Sequence, residues 1–132
     1  VLKSKGIVAT PDAKNYYRKF YDSQNLSGQK SRQAYLSAWQ ALELKTAHLL
    51  AVSNTQQTRR ALANLHIVFA INTYWSYPDL AQQALRKIKR WQVTPDLPVM
   101  GGRIIERIKQ TLGWKAALYT KKTLNQFGIG KG

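Results

Sequence analysis

Tyr35-Leu36-Ser37-Ala38-Trp39-Gln40-Ala41-Leu42-Glu43-Leu44-Lys45-Thr46-Ala47-His48-Leu49-Leu50 is the stretch that decides the fold. Tyr35, Ala38, Trp39, Leu42, Leu49 and Leu50 recur near the helical period, with Lys45 and Thr46 as interruptions, which predicts a long helix from about Gln29 to Val52. Ser53-Asn54 follows as a short turn and cap. Leu62, Leu65, Phe69 and Asn72 then share one stripe, which predicts a helix from about Thr55 to Tyr74. Upstream, Thr10-Pro11-Asp12 opens a helix with Thr as cap, Pro in the first position and Asp against the positive helix end; it runs to about Gln24 before Asn25-Leu26-Ser27-Gly28 breaks it.

Downstream, Ser76-Tyr77-Pro78-Asp79 starts a helix over about Pro78 to Trp91 that buries Leu80, Ala84, Leu85, Ile88 and Trp91. Pro95, Pro98 and Gly101-Gly102 mark Val93 to Gly102 as a loop and the one obvious hinge. The last predicted helix, about Arg103 to Lys122, carries Ile104, Ile105, Ile108, Leu112 and Tyr119 and is weakened midway by Gly113. No alternating strand pattern and no Asn-Gly or Asp-Gly hairpin signal interrupts this series. The fold class is therefore all-α: a four-helix bundle with a basic N-terminal helical arm and an additional C-terminal helix. Residues 1–27 form the arm, 28–92 the central bundle, and 93–132 the hinge, last helix and a flexible tail, within a single structural domain overall.

Charge sets the class of function. The chain holds 21 Lys and Arg against 6 Asp and Glu, a net charge of +15 in 132 residues, spread from Lys3 to Lys131. Such a chain repels itself unless a polyanion neutralises it. Duplex DNA carries about one charge per 1.7 Å, so this surplus matches roughly 25 Å of duplex, or about 7–8 base pairs. That stoichiometry suits coating nucleic acid better than reading a short site. At 44% hydrophobic residues the chain is too apolar for a disordered basic tail. Without cysteine it has no disulfide, thiolate ligand or thiol nucleophile, which suits an intracellular or intra-virion protein. Leu65 to Ile71, interrupted by His66, is the longest apolar run and is too short to span a bilayer. Val1-Leu2-Lys3-Ser4-Lys5 has no signal-peptide character, and Val1 in place of Met suggests a processed or trimmed chain, or mature numbering.

The catalytic inventory is small. Asp12 and Asp79 sit where helix N-termini favour negative charge, Asp96 lies in a loop, and Asp22, Glu43 and Glu106 are isolated, so caps and local ion pairs are expected. His48 and His66 would approach each other if their helices are antiparallel, an arrangement an acid/base nuclease would use, but nothing completes a metal site. Gly128-Ile129-Gly130-Lys131-Gly132 lacks the Ser/Thr and following helix of a phosphate loop. No cofactor and no small-molecule substrate is expected. The basic clusters are the stronger signal. Lys3, Lys5, Lys14, Arg18 and Lys19 are interleaved with Tyr16, Tyr17 and Tyr21, and Lys14 and Arg18 share a helix face. Lys30 and Arg32 follow the Gly28 turn, and Arg59-Arg60 opens the helix after Ser53. These nine cations are the expected phosphate-binding residues. Arg86, Lys87, Lys89 and Arg90 fit the cations that helix C-termini favour.

Gly28-Gln29-Lys30-Ser31-Arg32-Gln33-Ala34-Tyr35, a long helix, a short turn, a second long helix and Asn72-Thr73-Tyr74-Trp75-Ser76-Tyr77-Pro78-Asp79-Leu80 form an ordered series. It resembles the major capsid proteins of filamentous and rod-shaped archaeal DNA viruses, the lipothrixvirus and rudivirus group. Ser31, Arg32 and Tyr35 match the family's Gly/Ser-Arg-x-x-Tyr start, and Tyr74, Pro78, Asp79 and Leu80 match its Tyr…Pro-acidic-aliphatic turn. The resemblance covers roughly Lys14 to Lys89. It implies a structural protein, not an enzyme, that wraps linear double-stranded DNA in a helical filament as a homodimer or with a paired second capsid protein. It also implies an envelope of lipid in filamentous members and a place in the virion, after assembly in host cytoplasm. The rival expectations are a ribosomal or organellar-ribosome RNA-binding protein and a basic nuclease toxin domain.

Overall fold

A computed structural model describes residues 30–126 of the chain. Contacts divide the chain into two units, residues 1–30 and 31–132, and all described helices belong to the second. The helices are α1 (Arg32–Val52), α2 (Gln56–Thr73), α3 (Pro78–Trp91) and α4 (Arg103–Gln126), with no strand among the described residues. The fold is all-helical. The helix expected over Thr10 to Gln24 and the tail after Gln126 lie outside the described residues.

Caps fix the boundaries. The Ser31 Oγ accepts the Ala34 N–H at 3.2 Å, so α1 begins three residues later than the apolar pattern suggested. At its other end the Ser53 N–H donates to the Leu49 carbonyl at 2.8 Å. Thr55, expected as the first residue of the next helix, is its cap instead, its Oγ1 accepting the Thr58 N–H at 3.2 Å. Pro78 occupies the first position of α3, where no helical N–H is needed, and Asp79 lies in its first turn. Gln92 closes α3 in the left-handed conformation, with φ 53°.

The buried side chains form three clusters that share α2. Leu42 of α1, Phe69 and Ala70 of α2, and Leu80, Ala81 and Ala84 of α3 pack with Trp39, Tyr74 and Tyr77 around them. Ala63 and Ile67 meet Ile88, with Trp91, Val93 and Leu97 at the edge. Met100, Ile105, Ala117 and Leu118 bind α4 and the preceding loop to Ile71 and Tyr74.

Several expected core positions are corrected. Leu65 is 47% exposed and Asn72 lies outside, whereas His66 and Thr73 are fully buried. Each polar side chain reaches a carbonyl of its own helix, fully satisfying Thr73 but only the Nδ1 side of the His66 ring. Thr73 Oγ1 donates to the Phe69 carbonyl at 2.8 Å, and Thr46 Oγ1, read as an interruption, donates to the Leu42 carbonyl at 2.8 Å. In α4, Ile105 is buried while Ile104, Leu112 and Tyr119 are exposed. Gly113 (φ 84°, ψ 166°) kinks the helix and resets its face, so the second half buries Ala117 and Leu118 instead.

The loop expected as a hinge is tethered along its length. Asn64 accepts the Asp96 N–H at 2.7 Å and donates to the Asp96 carboxylate at 3.0 Å. Glu106 accepts the Met100 N–H at 2.6 Å, and Lys109 and Lys121 donate to the Pro98 and Met100 carbonyls at 2.9 and 2.7 Å. Side-chain bonds to backbone thus replace the ladder a loop lacks.

Candidate nucleic-acid interface

Of the nine cations expected to bind phosphate, Lys3, Lys5, Lys14, Arg18 and Lys19 lie outside the described residues. Lys30 is exposed just ahead of the Ser31 cap. Arg32 makes a two-pronged pair with Asp79, at 2.7 and 3.3 Å, with its guanidinium 5.6 Å from the Tyr77 ring centre. The pair joins the first turn of α1 to the first turn of α3. Arg60 pairs in the same way with Asp96, at 2.5 and 3.2 Å, and Arg59 donates to the Asn54 side chain at 2.8 Å. The structure therefore does not gather these residues into one site. Arg32 sits where α3 begins, and Arg59 and Arg60 sit at the start of α2, whose 18 residues span about 27 Å.

The pairing has an electrostatic consequence. Asp79 is held below the ordinary carboxylate range chiefly by its hydrogen bond from Arg32, and Asp96 by its hydrogen bonds from Arg60 and then Asn64. Glu106 is lowered by Lys109, whose Nζ lies 2.5 Å away, and by the Met100 N–H. Glu43 takes Lys87. Every carboxylate among the described residues is thus claimed by a cation of the same chain. Lys45, Arg86, Lys89, Arg90, Arg103 and Arg107 are exposed and have no carboxylate partner. Of the α3 cations expected to compensate the helix end, Lys89 and Arg90 lie in its last turn, whereas Arg86 lies before it.

The two sequence elements that bracket α1 and α2 meet in space. Beside the Arg32–Asp79 pair, the Tyr35 and Tyr77 rings lie 5.3 Å apart. Their local chemistry fastens helix starts to one another.

The two histidines are not brought together as a catalytic pair. His66 is fully buried, edge-on between Trp39 and Trp91 at 5.7 and 4.9 Å between ring centres. His48 is exposed and lies about 140° around α1 from Glu43, the residue that faces His66. No group of three or more His, Cys, Asp or Glu among the described residues is placed to hold a metal ion. No described helix is long and apolar enough to cross a membrane. No family model matches the chain, and no curated protein or solved structure matches it either.

Proposed function

We propose that this chain is a structural packaging protein, a major capsid protein of the kind found in filamentous and rod-shaped archaeal DNA viruses. It coats linear double-stranded DNA within a helical filament by neutralising phosphates without reading sequence. The observation that carries this reading is the fate of the acids. Each described carboxylate is consumed in an internal ion pair, so the remaining positive charge of the described residues has no counterion among them. A surface that served only for solubility would mix signs. A regular polyanion is the partner that satisfies a surplus of +15 on one chain.

Residues 28–92 supply three of the described helices, so a four-helix bundle takes α4, expected as an addition to it, as its fourth member. The basic cluster Lys14, Arg18 and Lys19, interleaved with tyrosines, suits a DNA-wrapping arm preceding it. The contact of Arg32 and Tyr35 with Asp79 and Tyr77 gives the bracketing motifs a shared task, that of fixing the helix starts. Further copies, or a paired second capsid protein, complete the filament inside the virion, with or without a lipid envelope.

Negative-stain microscopy of the protein with linear duplex DNA, with duplex RNA and alone tests this. Filaments of uniform width with DNA are expected. Discrete particles with a preference for RNA would replace the reading with a ribosomal one, and loss of intact nucleic acid would replace it with a nuclease.

A further inference from the structure

α3 divides into two faces. Leu80, Ala81, Ala84 and Ile88 are buried, and Gln82, Gln83, Arg86, Lys89 and Arg90 are exposed on the other side. The large exposed hydrophobic side chains of the described residues lie on α1, α2, α4 and the connecting loops, and none on α3. The outward face also has no aromatic ring. It therefore offers little to an apolar partner surface and no platform for an unstacked base.

Its cations are unanswered. Lys87, on the flank, reaches Glu43, but Arg86, Lys89 and Arg90 meet no carboxylate. The helix dipole accounts for only part of this. Its negative end carries about half a charge and acts within the last turn, which holds Lys89 and Arg90 but not Arg86. About two and a half of the three charges remain in excess of what that end compensates.

We infer that this face of α3 is the phosphate-binding surface of the second unit, lying along the backbone of duplex DNA; the inference rests on the packaging reading above. The rise from Arg86 to Arg90 is about 6 Å, and a DNA strand advances about 3.4 Å per nucleotide, so the three cations span about two successive phosphates. Gln82 and Gln83 continue the face toward the helix start, where their amides donate to phosphate or sugar oxygens without adding charge. The face is held ready before DNA arrives. Arg32–Asp79 fastens the first turn of α3 to α1, Glu43–Lys87 fastens its middle, and Leu80 and Ala84 anchor it in the core. Little ordering entropy then opposes binding.

The test uses the full chain and fluorescence anisotropy on two unrelated duplex DNAs and one duplex RNA across a salt series. The variant Arg86→Gln/Lys89→Gln/Arg90→Gln is compared with Arg103→Gln/Arg107→Gln/Lys115→Gln, which removes the same charge elsewhere. Circular dichroism checks that both keep their helices. The α3 variant is expected to lose more than about tenfold in affinity for both DNAs at about 0.1 M salt, and to reduce the slope of log K against log salt by about 2 to 3. The control should lose clearly less. Equal losses in the two variants would overturn the assignment of α3 while leaving the packaging reading intact. A native chain that binds no duplex DNA, or prefers duplex RNA, would overturn both.

Discussion

His66 Nε2 and Glu43 Oε1 stand 3.6 Å apart in the interior, and neither has a hydrogen-bond partner. The His66 Nδ1 lies 2.8 Å from the Leu62 carbonyl, an acceptor, so the neutral ring carries its proton there. Nε2 then presents a lone pair to a carboxylate oxygen. The junction of α1 and α2 is one proton short of a complete hydrogen bond, and burial opposes supplying that proton. Burial is the largest influence and pushes the imidazole below its ordinary value. The Leu62 carbonyl and Glu43 oppose the shift, while Lys87, reaching in from α3, adds to it.

This arrangement gives stability a pH dependence of definite sign. An unfolded histidine takes its proton near pH 6.5, whereas folded His66 resists it to lower pH. The junction is unaffected above about pH 6.5, loses stability as pH falls through that value, and stops losing it once the folded ring is also protonated. Thermal unfolding followed from about pH 7.5 to about pH 5 should show this decline, and His66→Gln should flatten it. The same decline in His66→Gln would assign it to other groups. Asp79, Asp96 and Glu106, held low by their cations, add their own losses only as pH falls through and below the ordinary carboxylate range.

Leu62 and Leu65 separate the buried and exposed sides of α2. Leu62 is 0% exposed and Leu65 is 47% exposed. Leu62→Ala should cost about 2–5 kcal/mol in denaturant unfolding. Leu65→Ala should stay within about 0.5 kcal/mol, as surface replacements usually do. Equal costs would mean that Leu65 is covered in the protein as it exists in solution.

Gly113 holds a backbone conformation open essentially to glycine alone. A Cβ there would meet no atom within 4 Å, so the cost of Gly113→Ala is conformational and not a clash. It should destabilise by about 1–3 kcal/mol. A variant more stable than the native chain would mean that α4 runs straight without cost and that the kink is dispensable.

The way these positions eluded the sequence is instructive. The bounds of α3 were legible to the residue, because Pro78 and Asp79 are explicit start signals and its apolar positions keep one register. α2 was legible as a helix but its buried side was not, because His66 and Thr73 are polar in composition and apolar in placement. Each reaches a carbonyl four residues back, a satisfaction that hydropathy does not register. The exposure of Tyr119, fourteen residues beyond buried Ile105, depends on one glycine resetting the helical phase between them. The roles of Arg32 and Arg60 were hidden for another reason. Their carboxylates lie 47 and 36 residues away in sequence, so a cation read as free was in fact spoken for.

The central claim is that this chain neutralises duplex DNA without reading it. The most direct test is the affinity of the native chain for several unrelated linear duplexes of equal length over a salt series. The account predicts the same affinity for each duplex within about threefold, and one steep linear fall of log K with log salt. A preference for one sequence, or an affinity insensitive to salt, would contradict it.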